Sequence, residues 1–124
     1  MTSPQISIII PTLNAARVLE PCLKSIKKQS YKKYEIIIAD GGSSDNTLII
    51  AKKYHCIIIK NKLKTAEAGK AIGLKKAKGE FVALIDSDNI LPDKNWLSKM
   101  ILPFKDKNIV GTEPISFTYR KDAG

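Results

Sequence analysis

Four short apolar runs, at residues 6–10, 35–39, 56–59 and 81–85, constrain what this chain can fold into more than any other feature. They are rich in β-branched residues, and the apolar residues follow one another instead of alternating with polar ones. A strand with one wet face alternates, whereas a strand apolar at successive positions has to be covered on both faces, as in a parallel sheet. The intervening segments supply the covers. Leu19, Cys22, Leu23 and Ile26 recur at three- and four-residue spacing, opposite Lys24, Lys27 and Lys28, which predicts a first helix. Pro21 is placed in its first turn, where a missing N–H costs little. A second helix is expected from near Asp45 to near Tyr54, capped by Ser43, Ser44 or Asp45. A third runs from about Thr65 to Lys78 and stops at Gly79 as a left-handed cap. A fourth has Asp93 as its cap and Trp96, Leu97, Met100 and Ile101 as its inner face, and a weak fifth strand follows at residues 108–111. Strands alternating with helices make an α/β fold with a mainly parallel sheet.

At 124 residues the chain is one domain, and 44% hydrophobic with 27% charged residues excludes a disordered or collagen-like polymer. Cys22 and Cys56 lie far apart, and with a single histidine they are too few for a zinc site; they are expected to be reduced core residues. No apolar run approaches the ~18 residues needed to span a bilayer, and Met1 to Gln5 carry no signal-peptide pattern, so a cytoplasmic location is expected. The net charge is +9, and 19 of the 21 basic residues are lysine. Nucleic-acid readers favour arginine and interleaved aromatics, so no nucleic-acid partner is expected. The lysine pairs fit solvated helix surfaces, or attraction to an anionic partner such as a nucleoside diphosphate or an acidic membrane surface.

In open α/β sheets ligands bind at the carboxyl ends of the strands. The first strand ends in Pro11-Thr12-Leu13-Asn14, the second in Asp40-Gly41-Gly42-Ser43-Ser44-Asp45, and the fourth in Asp86-Ser87-Asp88-Asn89. In an extended segment Asp86 and Asp88 would share a face, roughly 6.5–7 Å apart. Two carboxylates so placed call for a cation between them, and Mg²⁺ or Mn²⁺ suits their hard oxygens; the alternative is a polar turn, with Asp88 and Asn89 capping the next segment. Asp40-Gly41-Gly42 is ordinary turn chemistry taken alone. No G-x-x-x-x-G-K-[ST] or G-x-G-x-x-G loop is present, so the common ATP and NAD sites lack their phosphate cradles.

Taken together, the blocks Ser7-Ile8-Ile9-Ile10-Pro11-Thr12-Leu13-Asn14, Ile38-Ala39-Asp40-Gly41-Gly42-Ser43-Ser44-Asp45-Asn46-Thr47 and Ala77-Lys78-Gly79-Glu80-Phe81-Val82-Ala83-Leu84-Ile85-Asp86-Ser87-Asp88 closely resemble the start of family-2 glycosyltransferases. The resemblance implies the GT-A fold, a Rossmann-like nucleotide-binding domain that uses a UDP- or GDP-sugar and a divalent metal, Mn²⁺ or Mg²⁺. It implies that Pro11, Thr12 and Asn14 line the nucleoside pocket, and that Asp40, beside Gly41, accepts a hydrogen bond from the base. It further implies that Lys70 faces the diphosphate, with Ala71 standing where relatives often have Asn. Asp86 would contact the ribose or metal-bound water, Ser87 would be substrate-binding, and Asp88, with Asp86, would hold the metal on the diphosphate. Asp45 is read as a helix cap.

Family members generally invert the anomeric centre, with a general base from the second half of the domain. After Asp88 the only acids here are Asp93, Asp106, Glu113 and Asp122, and none copies that later motif, so the catalytic base is unassigned. Relatives are considerably longer, and residues 1–124 are therefore read as the donor-binding part of a shortened glycosyltransferase domain. The acceptor would be a hydroxyl or a lipid phosphate, with a lipid-linked acceptor at a membrane face suiting the basic surface. Two other readings compete. Residues 81–88 also look like the nucleophile strand of haloacid-dehalogenase-type phosphatases, although Ile90 and the short remainder fit that pattern poorly. A non-catalytic basic module would bind lipid or nucleotide with steep salt dependence and no need of a metal. Trp96 fits core packing better than a sugar-stacking role.

Overall fold

The strand runs and helices take their places in a computed structural model that describes residues 4–105, 111–112 and 117–120. In chain order the elements are β1 (Ile6–Thr12), α1 (Ala16–Lys27), β2 (Tyr34–Asp40), α2 (Thr47–Lys53), β3 (Ile57–Lys60), α3 (Ala66–Lys76), β4 (Phe81–Leu84) and α4 (Trp96–Ile101). A 3₁₀ turn (Leu102–Lys105), β5 (Gly111–Thr112) and β6 (Phe117–Arg120) follow. One sheet runs in the order β3-β2-β1-β4-β6-β5. The pairs β2–β3, β1–β2 and β1–β4 are parallel, while β6 is antiparallel to both β4 and β5. The α/β expectation holds for the parallel part. The antiparallel β6 was not anticipated, and most of the strand expected at 108–111 falls outside the described residues.

Continuous hydrophobicity in the central strands has the predicted cause. Ile8, Ile9, Ile10, Ile37 and Ile38 are all fully buried, because both faces of the sheet are covered. Ile6, Ile8 and Ile10 pack with Leu19, Leu23 and Ile26 of α1 and with Trp96 and Leu97 of α4. Ile9, Ile37 and Val82 form a smaller core on the opposite face. There α3 approaches the sheet by a ridge of glycines instead of an apolar stripe: a Cβ on Gly73 would lie 2.4 Å from Ile9 Cγ2, and one on Gly69 3.0 Å from Pro11 Cβ. Trp96 is accordingly core, as expected.

Three local expectations change. Pro21 lies inside α1, beyond its first turn, because the helix begins at Ala16. That start is set by Ala15 and Ala16, whose N–H groups donate to Thr47 Oγ1 and Asp45 Oδ2. Gly79 is not a left-handed cap. The third helix ends at Lys76, with an extended Ala77 after it, and among the described residues Gly42 is the glycine with positive φ. Gly79 is required by close approach, since a Cβ there would lie 2.7 Å from Ser7 N and 2.9 Å from Gln5 O. Asp93 accepts from the Asn95 N–H at 2.8 Å, and α4 starts only at Trp96, with Asn95 at its N-cap position. The second helix ends where expected, just before Tyr54, but begins at Thr47.

Candidate functional site

Parallel pairing brings the strand ends to one edge. The register sets Thr12 opposite Asp40 and Asp40 opposite Lys60. Asp40 is 6% exposed and its carboxylate is fully engaged. Oδ1 accepts from Thr12 Oγ1 at 2.7 Å and Ser43 Oγ at 2.6 Å. Oδ2 accepts from the Gly42 N–H at 3.0 Å and the Ser43 N–H at 2.8 Å. Burial alone would raise the Asp40 pKa, but these bonds outweigh it and hold the carboxyl below its ordinary value. A lowered folded-state pKa means that the carboxylate stabilises the fold above about pH 4, the unfolded value, and that this is lost as pH falls through the folded one. Asp40→Asn is therefore expected to cost about 2 kcal/mol near neutral pH. Urea melts against pH should show the gap from wild type closing below about pH 4; a gap independent of pH would show that charge plays no part.

The loops after β1 and β2 are tied together on this carboxylate. Asn14, at φ 49°, turns its Oδ1 to accept the Ser44 N–H at 2.8 Å, while its own N–H donates to Ser43 Oγ at 2.8 Å. Asp45 accepts from the Ala16 N–H at 3.1 Å and the Thr47 N–H at 3.0 Å, so it joins the starts of α1 and α2. Its structural role stands. The Thr47 hydroxyl bond is the main reason its pKa is lowered. A Cβ on Gly41 would lie 3.3 Å from Lys64 Cα, a tight approach that a shift of a few tenths of an ångström would relieve.

Two clefts open at this edge. One of about 360 Å³ is lined by Asp40, Gly41, Ser43, Lys60, Asn61 and Lys64, among others. A smaller one of about 150 Å³ is lined by Pro11, Thr12, Asn61, Lys64 and neighbours. A larger groove of about 450 Å³ lies between α1 and residues 90–94, and none of the strand-end residues lines it.

The end of β4 departs from the extended geometry expected of Asp86 and Asp88. The strand stops at Leu84, and the chain then turns: Asn89 N donates to Asp86 O at 3.0 Å and Asp86 N donates to Asn89 Oδ1 at 3.0 Å. The two aspartates thus sit on a turn instead of sharing a strand face. Both are exposed, Ser87 is half-buried, and no hydrogen bond or ion pair reaches either carboxylate among the described residues. The buried Cys22 thiol lies 3.8 Å from Asp86 O. Burial, with Asp88 adding to it, pushes that thiol up to about 12, which leaves it unreactive.

The structure thus gathers Pro11, Thr12, Asn14, Asp40 and Gly41 into one bonded cluster with its clefts. Asp86, Ser87 and Asp88 stand on a separate turn, and Lys70 sits half-buried in α3, making no ion pair among the described residues. Asn61 is a site residue that the sequence reasoning did not single out. Its signal is its place directly after the third strand, a strand end of the same kind as those of strands one, two and four. The Asn61 Nδ2 donates to Thr65 O at 2.8 Å, and its Oδ1 is the buried side-chain polar atom left without a partner among the described residues.

The pattern of the family described as Glycosyl transferase family 2 matches residues 7–121. The chain belongs to glycosyl transferase family 2. That match spans residues 81–88. Glycosyltransferase AglE of Haloferax volcanii is 30% identical over 128 residues, covering 95% of this chain and 41% of its own length. A mannosyltransferase of Pyrobaculum calidifontis, solved in complex with GDP-Man and Mn²⁺, superposes with a TM-score of 0.84 at 18% identity, over 97% of this chain and 45% of that one. TarS of S. aureus, solved in complex with UDP, gives 0.72 at 29% identity, over 83% of this chain and 32% of that one. The family-2 chain therefore has the GT-A fold and spans less than half the length of these relatives. Among its described residues no helix is long and apolar enough to cross a membrane.

Proposed function

We propose that residues 1–124 form the donor-binding part of a glycosyltransferase that takes a sugar from a nucleoside-diphosphate sugar and inverts its anomeric centre. The observation that carries this reading is the cluster of Thr12, Asn14 and Asp40 at the sheet's carboxyl edge, beside a cleft rimmed by Lys60, Lys62 and Lys64. Ligands of open α/β sheets sit at that edge, and lysines there suit a diphosphate. Pro11, Thr12, Asn14 and Gly41 line the nucleoside pocket, Asp40 holds its walls together, and Lys70 faces the diphosphate.

Asp86 and Asp88 fit a divalent metal. They are two exposed carboxylates, unpaired among the described residues, and hard oxygens are what Mn²⁺ or Mg²⁺ takes alongside substrate phosphates. Bound there, such a metal neutralises charge on the departing diphosphate. The acceptor hydroxyl also needs a general base. Asp93 is poorly suited to be that base, because the Asn95 N–H and Lys99 bind its carboxylate and lower its pKa. The base is therefore not assigned to Asp93.

Calorimetric titration of UDP and GDP into the 124-residue chain tests the reading. Binding is expected in Mn²⁺ and should be lost in EDTA. Failure of both nucleotides to bind a chain that circular dichroism shows to be folded would overturn it.

A further inference from the structure

The groove of about 450 Å³ between α1 and residues 90–94 takes no part in the site described above. A stripe of α1 carrying Pro21, Lys24 and Lys28 forms one wall, and Ile90, Pro92 and Lys94 form the other. All six are exposed, Ile90 at 61%. The loop is clamped to the helix. Ser25 Oγ accepts the Leu91 N–H at 3.0 Å and donates to Cys22 O at 2.7 Å. Gln29 Nε2 donates to Asp93 O at 2.6 Å, and the Ser30 N–H to Lys94 O at 2.8 Å. The groove is therefore preformed: with Leu91 turned into the core, its neighbour Ile90 is held outward. Its charge is one-sided. Lys24, Lys28 and Lys94 make no ion pair among the described residues. Asp93, the acid in the lining, is taken up by the Asn95 N–H at 2.8 Å and by Lys99 at 3.3 Å.

We propose that this groove is where the chain docks on an anionic lipid bilayer, with Ile90 and the proline rings at the acyl boundary and the three lysines against headgroup phosphates. Charge complementarity decides the occupant. Unpaired cations around an exposed apolar centre match a surface whose phosphates overlie hydrocarbon. Lysine suits that surface, since its stem lies along apolar groups while its ammonium reaches phosphate and water. A protein partner fits less well, because protein interfaces are depleted in lysine and enriched in aromatics and arginine, none of which lines the groove among the described residues. The same feature sets it apart from a single-stranded nucleic-acid surface, where bases stack on aromatic rings. Ile90 follows directly on the turn at residues 86–89, so docking here would bring Asp86 and Asp88 close to the bilayer surface. The strand-end cluster does not line the groove, and the proposal stands apart from the nucleotide reading.

The test is flotation of the 124-residue chain with lipid vesicles, without metal or nucleotide. Vesicles of phosphatidylcholine with about 30% phosphatidylserine should recruit the chain at about 0.15 M salt, and pure phosphatidylcholine should not. Lys24→Gln combined with Lys28→Gln should lower the partition coefficient about 25-fold, at about fivefold for each lysine. Lys75→Gln combined with Lys76→Gln removes the same charge from α3 and should lower it less than about threefold. Ile90→Ser should lower it about fivefold. All these positions are exposed, so the variants keep the fold. Equal losses from the two lysine pairs would mean attraction to the positive charge of the chain as a whole, and would overturn the groove. Recruitment indifferent to Ile90→Ser, or none on anionic vesicles, would overturn it too. A second readout does not depend on weakened binding. With lipids brominated in the acyl chain, the emission of Ile90→Trp should be quenched beyond the background of the buried Trp96. Ile49→Trp, at an exposed position on α2, should not be quenched, and any other pattern refutes the docking.

Discussion

Gly79→Ala is expected to lower the melting temperature by about 10 °C or more. The added Cβ would lie 2.7 Å from Ser7 N, 2.9 Å from Gln5 O and 2.9 Å from Ile6 C, all backbone atoms. Side chains can rotate out of such a clash, but this stretch of β1 cannot move. Ile6 is paired with Tyr34 on one side and Phe81 on the other, and Ile6 and Ser7 are fully buried. The turn before β4 would have to lift instead. Lifting it breaks the bonds from Gly79 N to Ser7 Oγ at 2.8 Å and from Lys78 N to Glu35 Oε2 at 2.8 Å. Overpacking at about 1–3 kcal/mol and two hydrogen bonds at about 1 kcal/mol each make a loss near 4 kcal/mol, a large share of a typical domain's stability. Thermal melts by circular dichroism check this. A shift of less than about 3 °C would show that the close approach relaxes cheaply.

Asp88→Ala is expected to leave that melting curve almost unchanged while weakening nucleotide binding in Mn²⁺ by about a hundredfold. The side chain is exposed and bonded to nothing among the described residues, so the fold does not depend on it. Removing one of two neighbouring carboxylates also relieves like-charge repulsion. If Asp88 holds a metal against the diphosphate, the residual affinity of the variant should equal that of wild type in EDTA. Metal-dependent binding that persists undiminished in Asp88→Ala would remove Asp88 from the site and leave Asp86 to be tested in its place.

Much of the candidate site was legible along the chain because it lies on contiguous strand ends. Each apolar run stops where polar residues begin, and a parallel sheet places all those stops at one edge; Thr12, Asp40 and Asp86 could be assigned to that edge from the amino-acid order alone. The roles of single groups were less legible. Asp40 lines the larger cleft, but that its oxygens also accept from Ser43, three residues on, and from Thr12, paired with it from β1, could not be read from spacing. Asp86 and Asp88 were expected to be extended, but Asn89 bends the chain back on Asp86. Pro21 was assigned to a helix start because proline disfavours helix interiors, while the contacts of Asp45 and Thr47 with Ala16 and Ala15 fixed that start further upstream.

By itself the amino-acid sequence determined the four parallel strands, the helices between them and the edge at which their polar ends meet. Burial on both faces imposes the continuous hydrophobic pattern that those short runs carry. Only the tertiary structure decided that Gly69, Gly73 and Gly79 are there for closeness and not for turns, and that β6 closes antiparallel on β4. It alone showed that Asn61 Oδ1 is buried without a partner among the described residues. A close approach or a saturated carboxylate depends on atoms from residues far apart in the chain, which nothing in local spacing records.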